Sequence, residues 1–303
     1  KSAKIGCHAV KFQLFKIDQL FAPEILSRSK NHSDRRQWEL PLEFLPDLST
    51  ACQQNNIQFS CTPFYLKAVD ELFPYVDFYK IASYEMIWDD LIKECAQTAK
   101  PLYMSTGMAT LDEVRHAVEV YQKAGGNDLT LFHCVSGYPA PAKHCNLAAI
   151  DSIRNATRQK VGWSDHSRSA DVIATAVNKW HASAVEFHLD RDEDGAEYKT
   201  GHCWLPEEIT PVIAGKKGQM VDYADGNGIK SPTPAEKQLT AQEIQANAVS
   251  KAMALFGGQK GSQIIQTNVN NSKTTSSKNV TSNSTSIIDN NPIYRTINSQ
   301  ATA

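Results

Sequence analysis

The sequence lacks the features that mark membrane, secreted and nucleic-acid-binding proteins. No apolar run approaches the roughly 20 residues that cross a bilayer, so we expect no membrane span. The first residues, KSAKIGCHAVKF, contain neither a long apolar core nor a small-residue cleavage site, so they do not resemble a signal peptide. Neither sign of charge dominates, because 31 Lys and Arg stand against 33 Asp and Glu. A broad basic surface for nucleic acid is therefore not expected.

Paired cysteines and glycine-rich phosphate loops are also missing. The seven cysteines are an odd number, and no two of them are spaced as CxxC. Several lie in apolar runs such as FSCTP and LFHCV, where a reduced thiol behaves as a small hydrophobe. This usage predicts a reducing, cytoplasmic location rather than a disulfide framework or a zinc knuckle. No GxGxxG and no GxxxxGK motif follows any apolar run.

What the sequence does contain is a regular alternation of β-rich runs and amphipathic helical stretches. The runs are nearly continuous in apolar residues, as is typical of parallel strands covered on both faces. Helix starts are recognisable between them: Thr110 and Glu113 form a capping-box pattern, and Ser169 can cap another helix. Strands are predicted at residues 8–13, 57–62, 77–83, 101–106, 129–134, 160–165 and 183–190.

This alternation predicts an α/β fold with a parallel sheet. Seven strand–helix units are one short of a (β/α)8 barrel. A doubly wound sheet is the alternative, but it would depend on the glycine-rich turn that the sequence lacks. We therefore expect a TIM-type barrel without its first strand over residues 1–225.

The composition changes towards the C-terminus. Residues 226–256 contain the segment SPTPAEKQ and are predicted to form a proline-led linker and one helix. Residues 257–303 are rich in Asn, Ser and Thr and contain little that could form a core, so they are predicted to be a disordered tail.

Polar residues collect at the predicted C-terminal ends of the strands, where barrel enzymes carry their catalytic groups. One polar residue at a strand end is usually a helix cap or a turn residue. Seven strand ends with such residues are harder to explain by capping, and they would ring one mouth of the barrel. The residues are Lys11, Gln13, Thr62, Lys80, Ser83, Glu85, Ser105, Ser136, Ser164, His166, Glu186 and His188.

His166 and His188 form the most informative pair. A lone histidine at a strand end is more often structural than a ligand, but these two end the last two predicted strands and would be neighbours. Two imidazoles with nearby carboxylates suit a divalent ion that keeps open coordination positions. Such an ion acts as a Lewis acid on a carbonyl oxygen. Asp165, between Ser164 and His166, alternates away from the mouth and is expected to be structural or to orient an imidazole.

Lys11 and Lys80 lie in apolar strands, where an unpaired ammonium is costly. One interpretation is a Schiff-base lysine of the aldolase kind. The other is a pair of charges that hold a phosphate and a carboxylate with the help of serine hydroxyls. The serines Ser105, Ser136 and Ser164 favour the second interpretation.

Together, several motifs resemble the N-acetylneuraminate (sialic acid) synthase family. They are VKFQ, TPF, YKIASYE, MSTGMAT, CVSGYPAP, GWSDHS and VEFHLD, and the resemblance covers residues 8–225 in consistent order. It implies a (β/α)8 barrel that condenses phosphoenolpyruvate with an N-acylated hexosamine, such as N-acetylmannosamine or its 6-phosphate, and water. The products are a nine-carbon 2-keto sugar acid and phosphate.

The resemblance also implies roles for individual residues. A divalent metal, Mn²⁺ or Mg²⁺, would be held by His166 and His188, and Glu186 would lie near the metal and the attacking water. Phosphoenolpyruvate would be bound by Lys11, Lys80, Ser83, Ser105, Ser136 and Ser164. The sugar side would be lined by Gln13, Thr62, Phe64, Glu85 and Tyr138.

Three departures from the family pattern stand out. The family's first strand, with its Glu-Ile-Gly motif, has no counterpart, and neither has its C-terminal antifreeze-like domain. In the family, that domain supplies an arginine to the partner subunit and helps to hold a dimer. The resemblance therefore leaves open whether this chain forms a homodimer. The segment after VEFHLD also differs, and either Glu197 or His202 would replace the family's sugar-contacting aspartate.

The sequence is therefore compatible with three hypotheses. The first is a metal-dependent condensing enzyme of the sialic acid synthase type. The second is a non-catalytic sugar- or phosphate-binding relative, suggested by the absent strand and domain. The third, a Schiff-base aldolase that uses Lys80, ranks well behind the other two.

Overall fold

The computed structural model describes residues 1–237, apart from the side chains of two residues at 196 and 197. Its centre is one parallel sheet of seven strands in the order β1 to β7. The strands are β1 (Ala9–Leu14), β2 (Gln58–Pro63), β3 (Phe78–Ile81), β4 (Leu102–Ser105), β5 (Leu129–Cys134), β6 (Lys160–Asp165) and β7 (Val185–Phe187).

Every strand pairs with its successor in the chain, and the sheet curls into a half-barrel. The predicted α/β fold with a parallel sheet is thus confirmed. The sequential order without a reversal excludes the doubly wound alternative, whose strand order turns back at a switch point. Within residues 1–237, β1 and β7 are not hydrogen-bonded to each other. A cavity of about 610 Å³ lies between these two strands and extends into the half-barrel.

Strand bounds agree with the sequence expectation to within two residues except at β7. This strand was expected over residues 183–190 but covers Val185–Phe187. The chain turns away after it, because the N–H of Trp204 donates to the carbonyl of His188 at 2.8 Å and Leu189 forms an isolated bridge with Trp204. The backbone just after β7 is thus hydrogen-bonded to Trp204, a residue of a later segment, and not to β6.

Eleven α-helices are found in the described part of the chain, and the longer ones cover the outside of the sheet. They are α1 (Ile17–Leu20), α2 (Pro23–Arg28), α3 (Lys30–Ser33), α4 (Leu45–Gln54), α5 (Lys67–Leu72), α6 (Asp89–Gln97), α7 (Leu111–Lys123), α8 (Ala149–Thr157), α9 (Ala170–Asn178), α10 (Ala196–Lys199) and α11 (Pro206–Ile213). None of them is long and apolar enough to span a membrane.

Local sequence accounts for the helix starts. The predicted capping box opens α7: the N–H of Glu113 donates to Thr110 Oγ1, and Glu113 Oε2 accepts the N–H of Thr110 at 2.7 Å. The predicted cap of α9 is also present, since Ser169 Oγ accepts the N–H of Val172. Both helices then present an apolar face to the sheet.

The core consists of one large cluster and one small cluster. The large cluster fills the space between sheet and helices, and Tyr79 and Trp163 are fully buried in it. The small cluster lies beside the ends of the first strands and contains Phe15, Ile17 and Phe64. It closes one side of the mouth with apolar groups.

The segment at residues 226–237, named here the C-terminal segment, lies against α8. Ser152 Oγ donates to the carbonyl of Gly228 at 2.6 Å, and Asn146 Nδ2 donates to the carbonyl of Ile229 at 3.0 Å. The linker and helix predicted for residues 226–256 are described only to residue 237. The tail predicted for residues 257–303 lies outside the described residues.

Candidate active site at the mouth of the half-barrel

A polar network of five side chains joins the first, third, fourth, sixth and seventh strands. Glu186 on β7 is at its centre: its Oε1 lies 3.1 Å from Lys11 Nζ, and its Oε2 lies 3.4 Å from Lys80 Nζ. Ser164 Oγ donates to Glu186 Oε2 at 2.9 Å, and Lys80 Nζ donates to Ser105 Oγ at 2.6 Å. The half-barrel makes these contacts, because its curvature brings β7 opposite β1 and β3.

The electrostatics of the network follow from its burial. Lys80 is 3 % exposed, and burial lowers its pKa although the charge of Glu186 acts in the opposite direction. Burial alone would raise the pKa of Glu186, but the Lys11 and Lys80 ammoniums hold it far below its usual range. The carboxylate is therefore ionised at neutral pH. Two cations around one anion leave the network with a surplus positive charge that suits an anionic ligand.

Two further serines meet next to this network. The N–H of Gly107 donates to Ser83 Oγ at 3.0 Å, and a Cβ on Gly107 would lie 2.4 Å from Ser136 Oγ and 2.8 Å from Ser83 Oγ. Only glycine allows the backbone to approach both hydroxyls in this way. Ser136 is 1 % exposed, and its Oγ has no hydrogen-bond partner among the described residues. A buried hydroxyl in this state is suited to binding a ligand.

An imidazole cluster of His166, His188 and His202 borders the network. The ring centroids of His166 and His188 are 5.0 Å apart, and those of His188 and His202 are also 5.0 Å apart. Tyr138 stacks beside it, with its ring 4.1 Å from His166 and 5.2 Å from His202. The prediction that His166 and His188 are neighbours is thus confirmed, and a third imidazole joins them.

Burial keeps the His166 and His188 rings neutral, which is the form in which an imidazole binds a metal. Burial lowers the pKa of His166 and of His188, and the neighbouring imidazoles lower that of His188 further. His166 Nδ1 donates to the carbonyl of Val135 at 2.8 Å, which leaves its Nε2 as a ligand atom. His202 Nδ1 is 2.7 Å from Thr200 Oγ1, and its Nε2 faces Cys203 Sγ.

A group of candidate metal ligands in the described part of the chain includes a residue that the sequence interpretation missed. Ligand atoms of His188, His202 and Cys203 all lie within 4.8 Å of one another. Cys203 Sγ is 3.5 Å from His202 Nε2. The only sequence signal for Cys203 was its position next to His202, since a single cysteine has no spacing pattern. Nitrogen and sulfur donors of this kind fit a divalent transition metal.

Asp165 plays the structural role that was one of its two expected roles. It is fully buried, and its Oδ1 accepts hydrogen bonds from Trp163 Nε1 and Ser167 Oγ at 3.1 and 2.6 Å. Its Oδ2 accepts from Trp204 Nε1 at 3.2 Å. The carboxylate thereby holds two indoles and a turn, whereas the Val135 carbonyl orients the His166 ring.

The residues expected on the sugar side surround the same mouth. Gln13 and Thr62 face each other in the register of β1 and β2, are 5 % and 0 % exposed, and each has an oxygen without a partner within residues 1–237. Glu85 is buried in the turn that begins with Ser83. Phe64 belongs to the small apolar cluster, against which Tyr138 packs. Of the alternatives Glu197 and His202, the first has no described side chain and the second lies in the imidazole cluster.

Fold and site together define a class of protein: a TIM-like α/β half-barrel whose mouth combines a buried and a half-buried lysine with hydroxyls and imidazoles. The family model of the NeuB family matches residues 1–230, and the chain belongs to this family. The family resemblance seen in the sequence motifs is thereby confirmed.

Individual relatives support the same assignment. The N,N'-diacetyllegionaminic acid synthase of Campylobacter jejuni is 32% identical over 78% of this chain and 74% of its own length. The N-acetylneuraminate-9-phosphate synthase of Drosophila melanogaster is 30% identical over 69% of this chain and 59% of its own length. Among solved structures, the spore coat polysaccharide biosynthesis protein SpsE of Bacillus subtilis superposes with a TM-score of 0.68 at 26% identity, covering 78% of this chain and 70% of that one.

Proposed function

We propose that this protein condenses phosphoenolpyruvate with an N-acylated hexosamine and water. The products are a sialic-acid-type 2-keto sugar acid and inorganic phosphate. The observation that carries the proposal is the network of Lys11, Lys80 and Glu186 beside the imidazole cluster. N-acetylmannosamine and its 6-phosphate are the first acceptors to test. The relatives named above make different nine-carbon acids, so the acceptor is sought among N-acyl hexosamines in general.

In this reaction C3 of phosphoenolpyruvate attacks the aldehyde carbon of the open-chain sugar. The new C–C bond leaves positive charge on C2, water adds there, and the C2–O bond to phosphate then breaks. Lys80 and Lys11 would hold the two anionic groups of phosphoenolpyruvate, with hydroxyls from Ser83, Ser105, Ser136 and Ser164. Holding the reactants in this way removes much of the entropic barrier. Once the anionic groups of phosphoenolpyruvate take over the contacts with Lys11 and Lys80, the pKa of Glu186 would rise, and its carboxylate would then accept the proton of the attacking water.

The residues present fit the metal that this chemistry requires. A metal bound by His166 and His188 would supply a Lewis acid for the sugar carbonyl. His202 and Cys203 would offer further donors beside His188. Of the two predicted metals, Mn²⁺ suits these imidazole donors better than Mg²⁺, which prefers oxygen ligands.

The gap between β1 and β7 supports a finer proposal about the fold. We propose that an eighth parallel strand occupies the cavity between them and completes a (β/α)8 barrel. Within residues 1–237 both edges leave backbone N–H and C=O groups without strand partners, and closing the barrel removes these edges. The predicted homodimer and cytoplasmic location stay predictions, and the seven free thiols are compatible with a reducing compartment.

The proposed reaction is tested by incubating the purified protein with phosphoenolpyruvate, Mn²⁺ and a panel of N-acyl hexosamines. Release of phosphate in step with formation of a 2-keto acid is expected. Both should disappear after chelation and fall at least ~100-fold in His188→Ala, while His181→Ala, on the exposed surface, serves as a control. Absence of product with every acceptor, in protein that binds phosphoenolpyruvate and metal, would instead support the non-catalytic alternative.

The aldolase alternative has its own test. A Schiff base needs a neutral lysine amine; burial lowers the pKa of Lys80, but its ion pair with the Glu186 carboxylate and its hydrogen bond to Ser105 Oγ favour the ammonium form. Borohydride reduction in the presence of pyruvate or the 2-keto acid product should therefore leave the mass of the protein unchanged. A covalent adduct on Lys80 would favour the aldolase.

A further inference from the structure

A carboxylate of the C-terminal segment reaches the loop after β4, which packs against Ser83 and Ser136, and the loop after β5, which carries Ser136. Glu236 is 2 % exposed. Its Oε1 accepts the backbone N–H of Ser136 at 2.7 Å and the backbone N–H of Met108 at 3.0 Å. Met108 follows β4 and Ser136 follows β5. One oxygen atom therefore ties the loop after β4 to the loop after β5.

The geometry around Gly107 makes the spacing of these loops critical. The backbone of Gly107 is so close to the hydroxyls of Ser83 and Ser136 that a Cβ there would lie 2.8 and 2.4 Å from them. Gly107 directly precedes Met108, whose N–H the Glu236 carboxylate accepts. A shift of either loop would change the distance between the hydroxyls and their distance from Lys80.

The conformation of Met108 shows that this loop needs an external restraint. Its φ of 61° lies in the left-handed region, which costs a residue with a side chain about 1 kcal/mol or more. Such a conformation persists when surrounding contacts hold it. A hydrogen bond from its N–H to a buried carboxylate is a strong contact of this type.

Glu236 is itself held from two sides. Its Oε2 accepts the N–H of Thr233 at 2.8 Å, and its own N–H donates to Thr233 Oγ1 at 3.2 Å, which is a capping box. Lys230 is 5 % exposed; burial lowers the pKa of this lysine, while the charge of Glu236 raises it. The C-terminal segment thus delivers a rigid, charge-compensated carboxylate to the back of the mouth.

We propose that Glu236 is a positioning residue for the anion site. Its carboxylate sets the spacing of the loops after β4 and β5, so that Ser83, Ser105 and Ser136 converge on a phosphate or carboxylate group. The proposal rests on the proposed function, because it takes these serines as the site for phosphoenolpyruvate. Glu236 acts through Met108 and Ser136 rather than by contact with the ligand.

The test compares Glu236→Ala with the unchanged protein by calorimetric titration of inorganic phosphate and of phosphoenolpyruvate. We expect both affinities to fall about tenfold, which corresponds to about 1.4 kcal/mol. In the complete assay, KM for phosphoenolpyruvate should rise by the same factor, while KM for the acceptor sugar should not change. Glu236→Gln keeps an oxygen that can accept both N–H groups, so its effect should be smaller.

Glu113→Ala is the matched control. Glu113 closes the same kind of capping box at the start of α7, but its carboxylate accepts only from Thr110. It should lose helix stability and keep the anion affinity. If Glu236→Ala does not fold, as judged by thermal melting, Glu236→Asp carries the same expectation because its carboxylate is one methylene shorter.

The possible results separate this proposal from the proposed function. If the unchanged protein binds neither phosphate nor phosphoenolpyruvate, both proposals are overturned. If it binds them and the Glu236 variants bind equally well, only the positioning role is overturned. Tighter binding by Glu236→Ala would also overturn it, since the carboxylate would then compete with the ligand.

Discussion

At the scale of single residues, Lys80 shows how this protein keeps a charge in its interior. The ammonium donates to Ser105 Oγ and to the carbonyl of Ile81 at 3.1 Å, and it pairs with Glu186. A buried charge without such partners costs several kcal/mol, so removal of Glu186 would destabilise the fold as well as the site. Lys80 was recognisable from its apolar strand, but its partner follows it by more than 100 residues and is brought close only by the curvature of the sheet.

His133 leads to a prediction about acid stability. It is 2 % exposed, its Nε2 donates to the carbonyl of Cys145 at 2.8 Å, and burial together with the charge of Lys230 lowers its pKa to about 3. The folded protein therefore binds fewer protons than the unfolded chain between pH 3 and about 6.5. The free energy of unfolding should then fall as the pH drops through this window, by about 2 kcal/mol from this group between pH 7.5 and 5.

Urea unfolding at pH 7.5 and pH 5 measures this contribution. His133→Gln should be less stable than the unchanged protein at both pH values, but it should lose about 2 kcal/mol less on acidification. His181→Gln, at an exposed position, should show the full acid effect. An equal acid loss in His133→Gln and the unchanged protein would contradict the prediction.

At the scale of elements, α8 ends with an unfavourable residue. Arg158 is its C-cap, with φ 60° and ψ 19°, and its N–H donates to the carbonyl of Arg154 at 2.8 Å. Glycine adopts this left-handed conformation without steric cost, whereas arginine does not. A glycine at this position would relieve the strain, but it also has more conformational freedom in the unfolded chain, and this offsets part of the stabilisation.

We therefore expect Arg158→Gly to raise the free energy of unfolding by about 0.5 kcal/mol. Arg158→Ala removes the same exposed side chain but keeps the Cβ, so it should bring no gain. Both are measured by urea unfolding at one pH. Equal stability of the two variants would mean that backbone strain at this position does not matter.

Local sequence predicted where helices start better than it predicted where strands end. The start of α7 was predictable because Thr110 and Glu113 are close in the chain and satisfy each other's N–H groups. The short β7 was not predictable, because its end is decided by Trp204, which belongs to a segment that returns to the strand later in the chain. The capping box at Thr233 and Glu236 was not predicted, although its residues are only three positions apart, and the loops that it holds depend on the tertiary fold.

At the scale of the whole molecule, the imidazole cluster links folding to metal binding. A ligand that binds only the folded state at one hundred times its Kd adds about 2.7 kcal/mol of stability. For a domain of this size that corresponds to a rise in Tm of roughly 5–10 °C. Addition of a chelator should reverse the rise.

Thermal melting with and without Mn²⁺ tests this linkage in the unchanged protein, His188→Ala and His202→Ala. His188→Ala should show no metal-dependent change in Tm. His202→Ala should show a smaller shift than the unchanged protein, because it loses one of the donors next to His188. A full shift in His202→Ala would remove His202 from the ligand set, and a full shift in His188→Ala would place the metal elsewhere.

The sequence by itself determined the alternation of strands and helices, the helix caps and most of the polar residues of the mouth. These features depend on periodicity, on residues a few positions apart and on motifs kept in chain order. Only the tertiary structure decided that His202 and Cys203 join His188, that Glu186 pairs with Lys11 and Lys80, and that Glu236 ties two loops together. Each of these contacts joins different elements of the chain, so its distance depends on the curvature of the sheet and on the path of the chain outside it.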